Sequence, residues 1–96
     1  MNEIYIVAEC GIKLEQKEAL MPLLRELEEK SQAEAGNKSY IITENLTDPA
    51  QFCVVEHWAS PEAIKEHMDT AHFKQFAAAM QKAGATLKVT QLKKLF

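Results

Sequence analysis

The chain has 96 residues, of which 47% are hydrophobic and 26% are charged, and this composition predicts one globular domain over residues 1–96. Eleven Lys and Arg against fourteen Asp and Glu give a formal net charge of −3, which argues against nucleic acid as a partner. No apolar run is long enough to span a membrane, and the first ten residues lack the features of a secretory signal. We therefore expect a cytoplasmic protein with no membrane partner.

The first third of the chain predicts a strand followed by a helix. Residues 3–10 alternate in polarity, which is typical of a strand, and Gly11 breaks the alternation. From Glu15 the apolar spacing changes to three and four, which predicts an amphipathic helix that ends at Gly36. Pro22 lies inside this segment, so either the helix kinks there or a short first turn precedes it.

The middle of the chain predicts a hairpin and the start of a second helix. Residues 39–44 and 52–58 alternate again, and the NLTDPA segment between them has turn chemistry, so we expect two neighbouring strands. Ser60 followed by Pro61 is a typical helix start, in which the serine caps the helix and the proline occupies its first position.

The last third predicts one more helix start and a final strand. Thr70 is placed to cap a new helix over residues 72–83, and residues 85–95 complete the chain as a strand. The resulting order β-α-β-β-α-β predicts an α+β, ferredoxin-like fold. We expect a four-stranded antiparallel sheet with helices on one face.

This sheet carries more apolar residues than its own helices can cover. A second apolar face needs a second cover, so we expect a homodimer that packs sheet against sheet. Val7, Phe52, Trp58 and Phe96 should lose solvent exposure in that dimer. The residues assigned to the uncovered face are Val7, Tyr40, Phe52, Val54, Trp58, Leu92 and Phe96.

Three segments of the chain resemble one known family. EAGNKSYIIT, DPAQFCVVEHWASPEAIKEH and TAHFKQF are similar to the antibiotic biosynthesis monooxygenase (ABM) domain family. The resemblance implies a dimeric α/β barrel, with a small aromatic-lined cavity between each sheet and its own helices. It also implies a cofactor-independent monooxygenase, without a metal, that oxidises a small planar phenolic or quinol substrate with O2. The matching positions are Ala35, Gly36, Tyr40, Glu56, Trp58, His67, His72 and Phe73.

Other branches of this family suggest alternative functions. A haem-degrading branch uses an Asn on the first strand, a Trp and a downstream His. Here the first strand, IYIVAE, has no Asn, and His67 and Ala77 stand at the other two positions, which argues against haem. A branch that isomerises a small phosphorylated keto sugar has a similar histidine segment and stays open, as does a small-molecule-binding, stress-related dimer without catalysis.

Three titratable residues are candidates for catalysis. His67 and His72 are five residues apart, unlike the i,i+4 spacing of a metal-binding pair, but a helix break near Thr70 could turn both towards one cavity. An imidazole can remove a proton from a phenolic hydroxyl near pH 7. Alternatively, one of the two histidines caps a helix or binds a carboxylate such as Asp69. Glu56 is either a base or the partner that orients a histidine, or else it forms an ion pair in the dimer interface.

Large apolar side chains are the candidates for substrate binding. Aromatic residues on a strand face usually form the core, and in the family that this chain resembles the same layer lines the cavity. We therefore predict either core packing or contact with a planar substrate for Tyr40, Trp58, Met68, Phe73, Phe76 and Met80.

Overall fold

A computed structural model describes residues 2–96, and Met1, the first residue of the predicted domain 1–96, lies outside the described residues. Within the described range the order of elements is β-α-β-β-α-α-β, which confirms the predicted α+β, ferredoxin-like fold. None of its helices combines the length and the apolar character that a bilayer crossing requires. The elements are β1 (Ile4–Gly11), α1 (Leu14–Gln32), β2 (Asn37–Glu44), β3 (Gln51–Trp58), α2 (Pro61–Met68), α3 (Ala71–Lys82) and β4 (Thr86–Leu92).

The strands form one antiparallel sheet in the order β2-β3-β1-β4. Ile6 of β1 and Tyr40 of β2 both lie opposite Glu56 of β3, so these three side chains point to the same face. All three are buried beneath the helices. The core therefore lies between one face of the sheet and the helical layer, and the other face is partly exposed.

Helix α1 is continuous across Pro22, which is exposed. The proline removes one backbone hydrogen bond on the solvent side of the helix. On the other side Leu24, Leu27 and Ser31 are buried. The alternative in which only a short turn precedes Pro22 is therefore wrong.

Two capped helix starts bring His67 and His72 close together. The hydroxyl oxygens of Ser60 and Thr70 each accept a backbone N–H from the following turn, over 3.2 Å in both cases. Both caps agree with the prediction. The break at Thr70 separates α2, with His67 in its last turn, from α3, with His72 in its first turn.

The predicted division of the sheet into two faces is partly wrong. Phe52 and Trp58 are 8% and 0% exposed, so they cannot lie in a sheet-to-sheet interface. The cause is the register of β1 and β3, in which Phe52 lies opposite the buried Cys10 and shares its face. Four residues that we expected on the uncovered face lie beneath the helices instead: Tyr40, Phe52, Val54 and Trp58.

The face that remains uncovered has its own apolar residues. Ile41, Val55 and Leu92 are 50%, 42% and 48% exposed, and Val7 and Leu92 lie there as predicted. Phe96 follows β4 and is fully exposed. We call this surface the open face and define it by Tyr5, Val7, Ile41, Val55 and Leu92.

Candidate functional site

A cavity of about 450 Å³ lies between the sheet and helices α2 and α3. Its wall is mostly apolar, and its polar groups include Tyr40, Glu56 and His67. A cavity of this size and character fits one small organic molecule. Seven of the residues predicted from the sequence line it: Tyr40, Glu56, His67, Met68, Phe73, Phe76 and Met80.

The cavity opens along β4. Helix α3 packs against α1 and leaves the inner side of β4 uncovered. Leu87 and Val89 are therefore 53% and 52% exposed, although they lie opposite buried residues of β1 and share their face. Ala85 and Gln91 extend the same wall. Strand β4 and helix α3 thus frame an entrance for a small molecule.

Beside the cavity, two imidazoles share one carboxylate oxygen. Oε2 of Glu34 lies 2.7 Å from Nδ1 of His67 and 2.7 Å from Nε2 of His72. An ionised carboxylate only accepts hydrogen bonds, so each of these nitrogens donates its N–H. The side chains of Glu34, His67 and His72 are 15%, 4% and 11% exposed. We call these three residues the Glu34 cluster.

The turn after α1 holds Glu34 against the helices. The backbone N–H of Asn37 donates to the carbonyl of Glu34 over 3.0 Å, and that of Ala59 donates to the carbonyl of Gly36 over 2.9 Å. A Cβ added to Gly36 would lie only 2.3 Å from the Cβ of Ala63 in α2. Because Gly36 has no side chain, the turn approaches α2 closely enough for Glu34 to reach both histidines.

The ring of His67 is packed among aromatic side chains and faces the cavity. Its centroid lies 4.6 Å from that of Trp58, 5.1 Å from that of Phe73 and 5.5 Å from that of Tyr40. Burial lowers the pKa of His67, although the hydrogen bond to Glu34 opposes this effect. Among residues 2–96, Nε2 of His67 has no hydrogen-bond partner. A neutral imidazole therefore offers the Nε2 lone pair to a molecule in the cavity.

Glu56 supplies a second group that exchanges a proton near neutral pH. Burial raises the pKa of Glu56 to about 7, against the hydrogen bond that the indole N–H of Trp58 donates over 2.8 Å. The negative charge of Glu34 raises it as well. Opposite Glu56 on β2, burial raises the pKa of Tyr40, so its phenol stays protonated.

Two of the predicted site residues do not line the cavity. Trp58 is fully buried, where its ring contacts His67 and its N–H binds Glu56. His72 instead binds Glu34. Glu56 itself lies on the helix-covered face, so the alternative of an ion pair in a sheet-to-sheet interface is wrong.

Glu34 was not predicted as a site residue. The carboxylate partner named for the histidines was Asp69, whereas Glu34 lies 33 and 38 residues before them along the chain. It belongs to a turn, where no periodic pattern shows which way a side chain points. The available signal was an acidic residue directly before the turn at Ala35 and Gly36.

The chain is similar in sequence to proteins named as monooxygenases. The profile of the family "Antibiotic biosynthesis monooxygenase" matches residues 3–79. Among curated proteins, the chain is 33% identical over 75 residues to the "Putative monooxygenase YcnE" of Bacillus subtilis (strain 168). That match covers 78% of this chain and 79% of the relative.

Solved structures share the fold over nearly the whole chain. PA3566 from Pseudomonas aeruginosa has a TM-score of 0.90 at 28% identity, over 100% of this chain and 97% of that one. A "Putative antibiotic biosynthesis monooxygenase" from Nitrosomonas europaea has a TM-score of 0.90 at 21% identity, over 99% and 92%, and is similar in fold alone. The family and curated names support an enzyme of the general monooxygenase type. Because the family profile spans most of the described residues, this chain belongs to the antibiotic biosynthesis monooxygenase family.

Proposed function

We propose that this protein is a cofactor-independent monooxygenase that oxidises a small planar phenolic or quinol substrate with O2. The observation that carries the proposal is the hydrogen bonding of His67 and its position at the cavity. Its Nδ1 is bound to Glu34, and its ring faces an apolar cavity of about 450 Å³ with Nε2 unpartnered among residues 2–96.

Substrate binding follows from the cavity wall. Phe73, Phe76 and Met80 offer apolar and aromatic surface to a flat ring, and the opening along β4 admits both substrate and O2. A hydroxyl group of the substrate would lie against Nε2 of His67, which accepts its hydrogen bond.

His67 then acts as the general base. Its Nε2 takes the proton of the hydroxyl, and the carboxylate of Glu34 stabilises the imidazolium that forms, as in other carboxylate–histidine pairs. The resulting phenolate is electron-rich and passes one electron to O2. The two radicals that form combine into a peroxide on the substrate carbon.

The reaction balances without an external reductant. A hydroquinone with O2 gives a hydroxyquinone and water, and an anthrone CH2 group with O2 gives C=O and water. In both cases the substrate supplies the electrons that reduce the second oxygen atom. The carboxyl of Glu56, with its pKa of about 7, can donate the proton that this oxygen needs as the peroxide O–O bond breaks.

The isomerase alternative is less well supported by the cavity. Glu56 and His67 would also suit proton transfer in a keto sugar. However, the lining within residues 2–96 contains neither Lys nor Arg, the residues that usually bind a sugar phosphate. Deuterium exchange into a carbonyl compound without O2 uptake would favour this alternative.

A second alternative is a binding protein without catalysis. Such a protein would bind hydroquinones or anthrones but turn over none of them.

Oxygen uptake by chelator-treated protein, measured with a panel of hydroquinones and anthrones, tests the proposal. We expect His67→Gln to lower turnover by about 10²–10⁴, the usual contribution of a positioned proton transfer. The matched control is His57→Gln, since His57 also binds a carboxylate but faces away from the cavity, and this variant should turn over normally. No turnover of any compound by the wild type, or full turnover by His67→Gln, would contradict the proposal.

We further propose a homodimer through the open face. Partial exposure of Ile41, Val55 and Leu92 on a sheet supports it, because an apolar sheet face in water favours association. Light scattering at low micromolar concentration should give a dimer for the wild type and a monomer for Val55→Lys. Ala78→Lys, on the exposed side of α3, is the control. A monomeric wild type would contradict this proposal.

We also propose a cytoplasmic location for this protein. Cys10 and Cys53 are both free, and they point to opposite faces of the sheet. This arrangement suits a reducing compartment, where thiols stay reduced.

A further inference from the structure

We propose that Glu34, His67 and His72 form a binding site for one divalent first-row transition metal ion of the Zn²⁺ or Co²⁺ type. The ion would replace the hydrogen bonds of the Glu34 cluster and would switch off His67 as a base. This site goes beyond the proposed oxygenase reaction, which uses the same residues without a metal.

The three potential ligand atoms already lie close together. Oε2 of Glu34, Nδ1 of His67 and Nε2 of His72 all lie within 4.8 Å of one another. Zinc binds such atoms at about 2.0–2.2 Å in a tetrahedral arrangement, which separates the ligand atoms by roughly 3.4 Å. Each N–O distance is now 2.7 Å, so it needs to lengthen by less than about 1 Å to admit the ion.

The ligand set of this site suits a transition metal ion. Two imidazole nitrogens and one carboxylate oxygen favour Zn²⁺, Co²⁺ or Fe²⁺, whereas Mg²⁺ and Ca²⁺ prefer oxygen ligands alone. Three protein ligands leave at least one coordination position for water. Glu26 lies close enough to His72 to interact with it electrostatically, and its negative charge would favour a bound cation.

The surrounding structure holds all three ligands in place. His67 is fixed by the rings of Trp58 and Phe73, and His72 sits in the first turn of a capped helix. Glu34 is held by the turn that Gly36 allows to approach α2. Ligands that are already held in place lose little conformational freedom when an ion binds.

Metal binding and base catalysis exclude one another in this site. A metal ion on Nδ1 of His67 needs the lone pair of that nitrogen, so the ring proton must move to Nε2. That nitrogen then donates a hydrogen bond to the cavity and can no longer accept a proton. The ion therefore acts as an inhibitor of the proposed reaction.

Titration of the untagged, chelator-treated protein with Co²⁺, followed by visible absorption, tests the site without any substrate. Calorimetry with Zn²⁺ gives the stoichiometry. We expect one ion per chain, with tetrahedral Co²⁺ bands. Glu34→Gln and His72→Gln should each weaken binding by more than about 10-fold, because each removes one of three ligands. Circular dichroism checks that both variants fold.

The control for this titration is His57→Gln, since His57 and Glu3 provide only one imidazole and one carboxylate beside Lys38. We expect it to bind as the wild type does. Absence of stoichiometric binding by the wild type, or wild-type affinity in both His72→Gln and Glu34→Gln, would overturn the site. Because the titration requires no turnover, its failure is distinct from failure of the oxygenase proposal.

Discussion

Two histidine–carboxylate clusters lie on opposite faces of the same sheet. The Glu34 cluster is buried under the helices beside the cavity. On the other face, His57 Nε2 binds Glu3, and Lys38 Nζ lies 3.5 Å from the same carboxylate. The ring of His57 stacks on Tyr5 with the centroids 4.1 Å apart. Its side chain is 22% exposed and that of Glu3 is 33% exposed.

The difference between the clusters is their contact with water. The hydrogen bond from His57 lowers the pKa of Glu3, so that carboxylate stays ionised in a partly solvated site. In the Glu34 cluster burial lowers the pKa of His67, so the imidazole stays neutral beside its carboxylate. The same residue types therefore form a partly exposed hydrogen-bonded pair in one place and a candidate base in the other. Position in the fold, rather than residue identity, creates the site.

The largest expected effect on stability concerns Glu56, the buried carboxyl beside the Glu34 cluster. Its folded pKa of about 7 lies above the unfolded value of 4.5, so the folded state favours the protonated form. The stability that this group contributes is therefore complete below pH 4.5 and is lost as the pH rises through 7. The loss amounts to roughly 3 kcal/mol.

Urea denaturation at several pH values measures this effect as the difference between wild type and Glu56→Gln. We expect the difference to change between about pH 4.5 and 7 and to stay constant outside this window. Glu29→Gln, which removes an exposed carboxylate of α1, should follow the wild type. Parallel pH profiles for wild type and Glu56→Gln would contradict the raised pKa.

A second, smaller effect is expected from Gly36→Ala, which disturbs the buried cluster through its supporting turn. The new Cβ would meet that of Ala63 at 2.3 Å, so the turn must move away from α2 and take Glu34 with it. Overpacking of this kind usually destabilises by about 1–3 kcal/mol. Urea denaturation measures the loss.

Gly84→Ala is the matched control for this substitution. Gly84 has a φ of 66° but nothing within 4 Å of an added Cβ, so alanine there suffers backbone strain alone. That strain is worth roughly 1 kcal/mol. If Gly36→Ala destabilises no more than Gly84→Ala, the close contact between the turn and α2 does not hold Glu34 in place.

Local signals made most of the fold predictable from the sequence. Ser60 and Thr70 cap helices that begin at the next residue, so both caps can be identified from adjacent residues in the sequence. The alternation of a strand likewise depends only on neighbouring residues. The faces of the sheet were harder, because alternation defines two sets of residues without showing which set is covered. The register of β1 and β3, a long-range property, decides that Phe52 and Trp58 lie inside.

The candidate site was predictable to the extent that it uses regular elements. His67 and the aromatic residues of α3 lie on helix faces that periodicity identifies. Glu34 lies in a turn, and its position depends on the close contact of Gly36 with α2. The contacts of Glu34 with the two histidines join residues more than thirty positions apart, and no periodic sequence pattern indicates such contacts. The partner of both histidines could therefore be found only in three dimensions.

The smallest effect is expected at the open face of the Val55→Lys monomer, where His57→Gln removes one member of the exposed cluster. Solvent and salt screen charges there, and at about 1 M salt the screening length falls to roughly 3 Å. We therefore expect a small loss of thermal stability at low salt that disappears at high salt. His72→Gln, which alters the buried cluster, should lose more stability and keep that loss at high salt, because salt screens the buried hydrogen bond to Glu34 much less. Thermal melts of both variants at low and high salt decide the matter: equal salt dependence would mean that burial does not distinguish the two clusters.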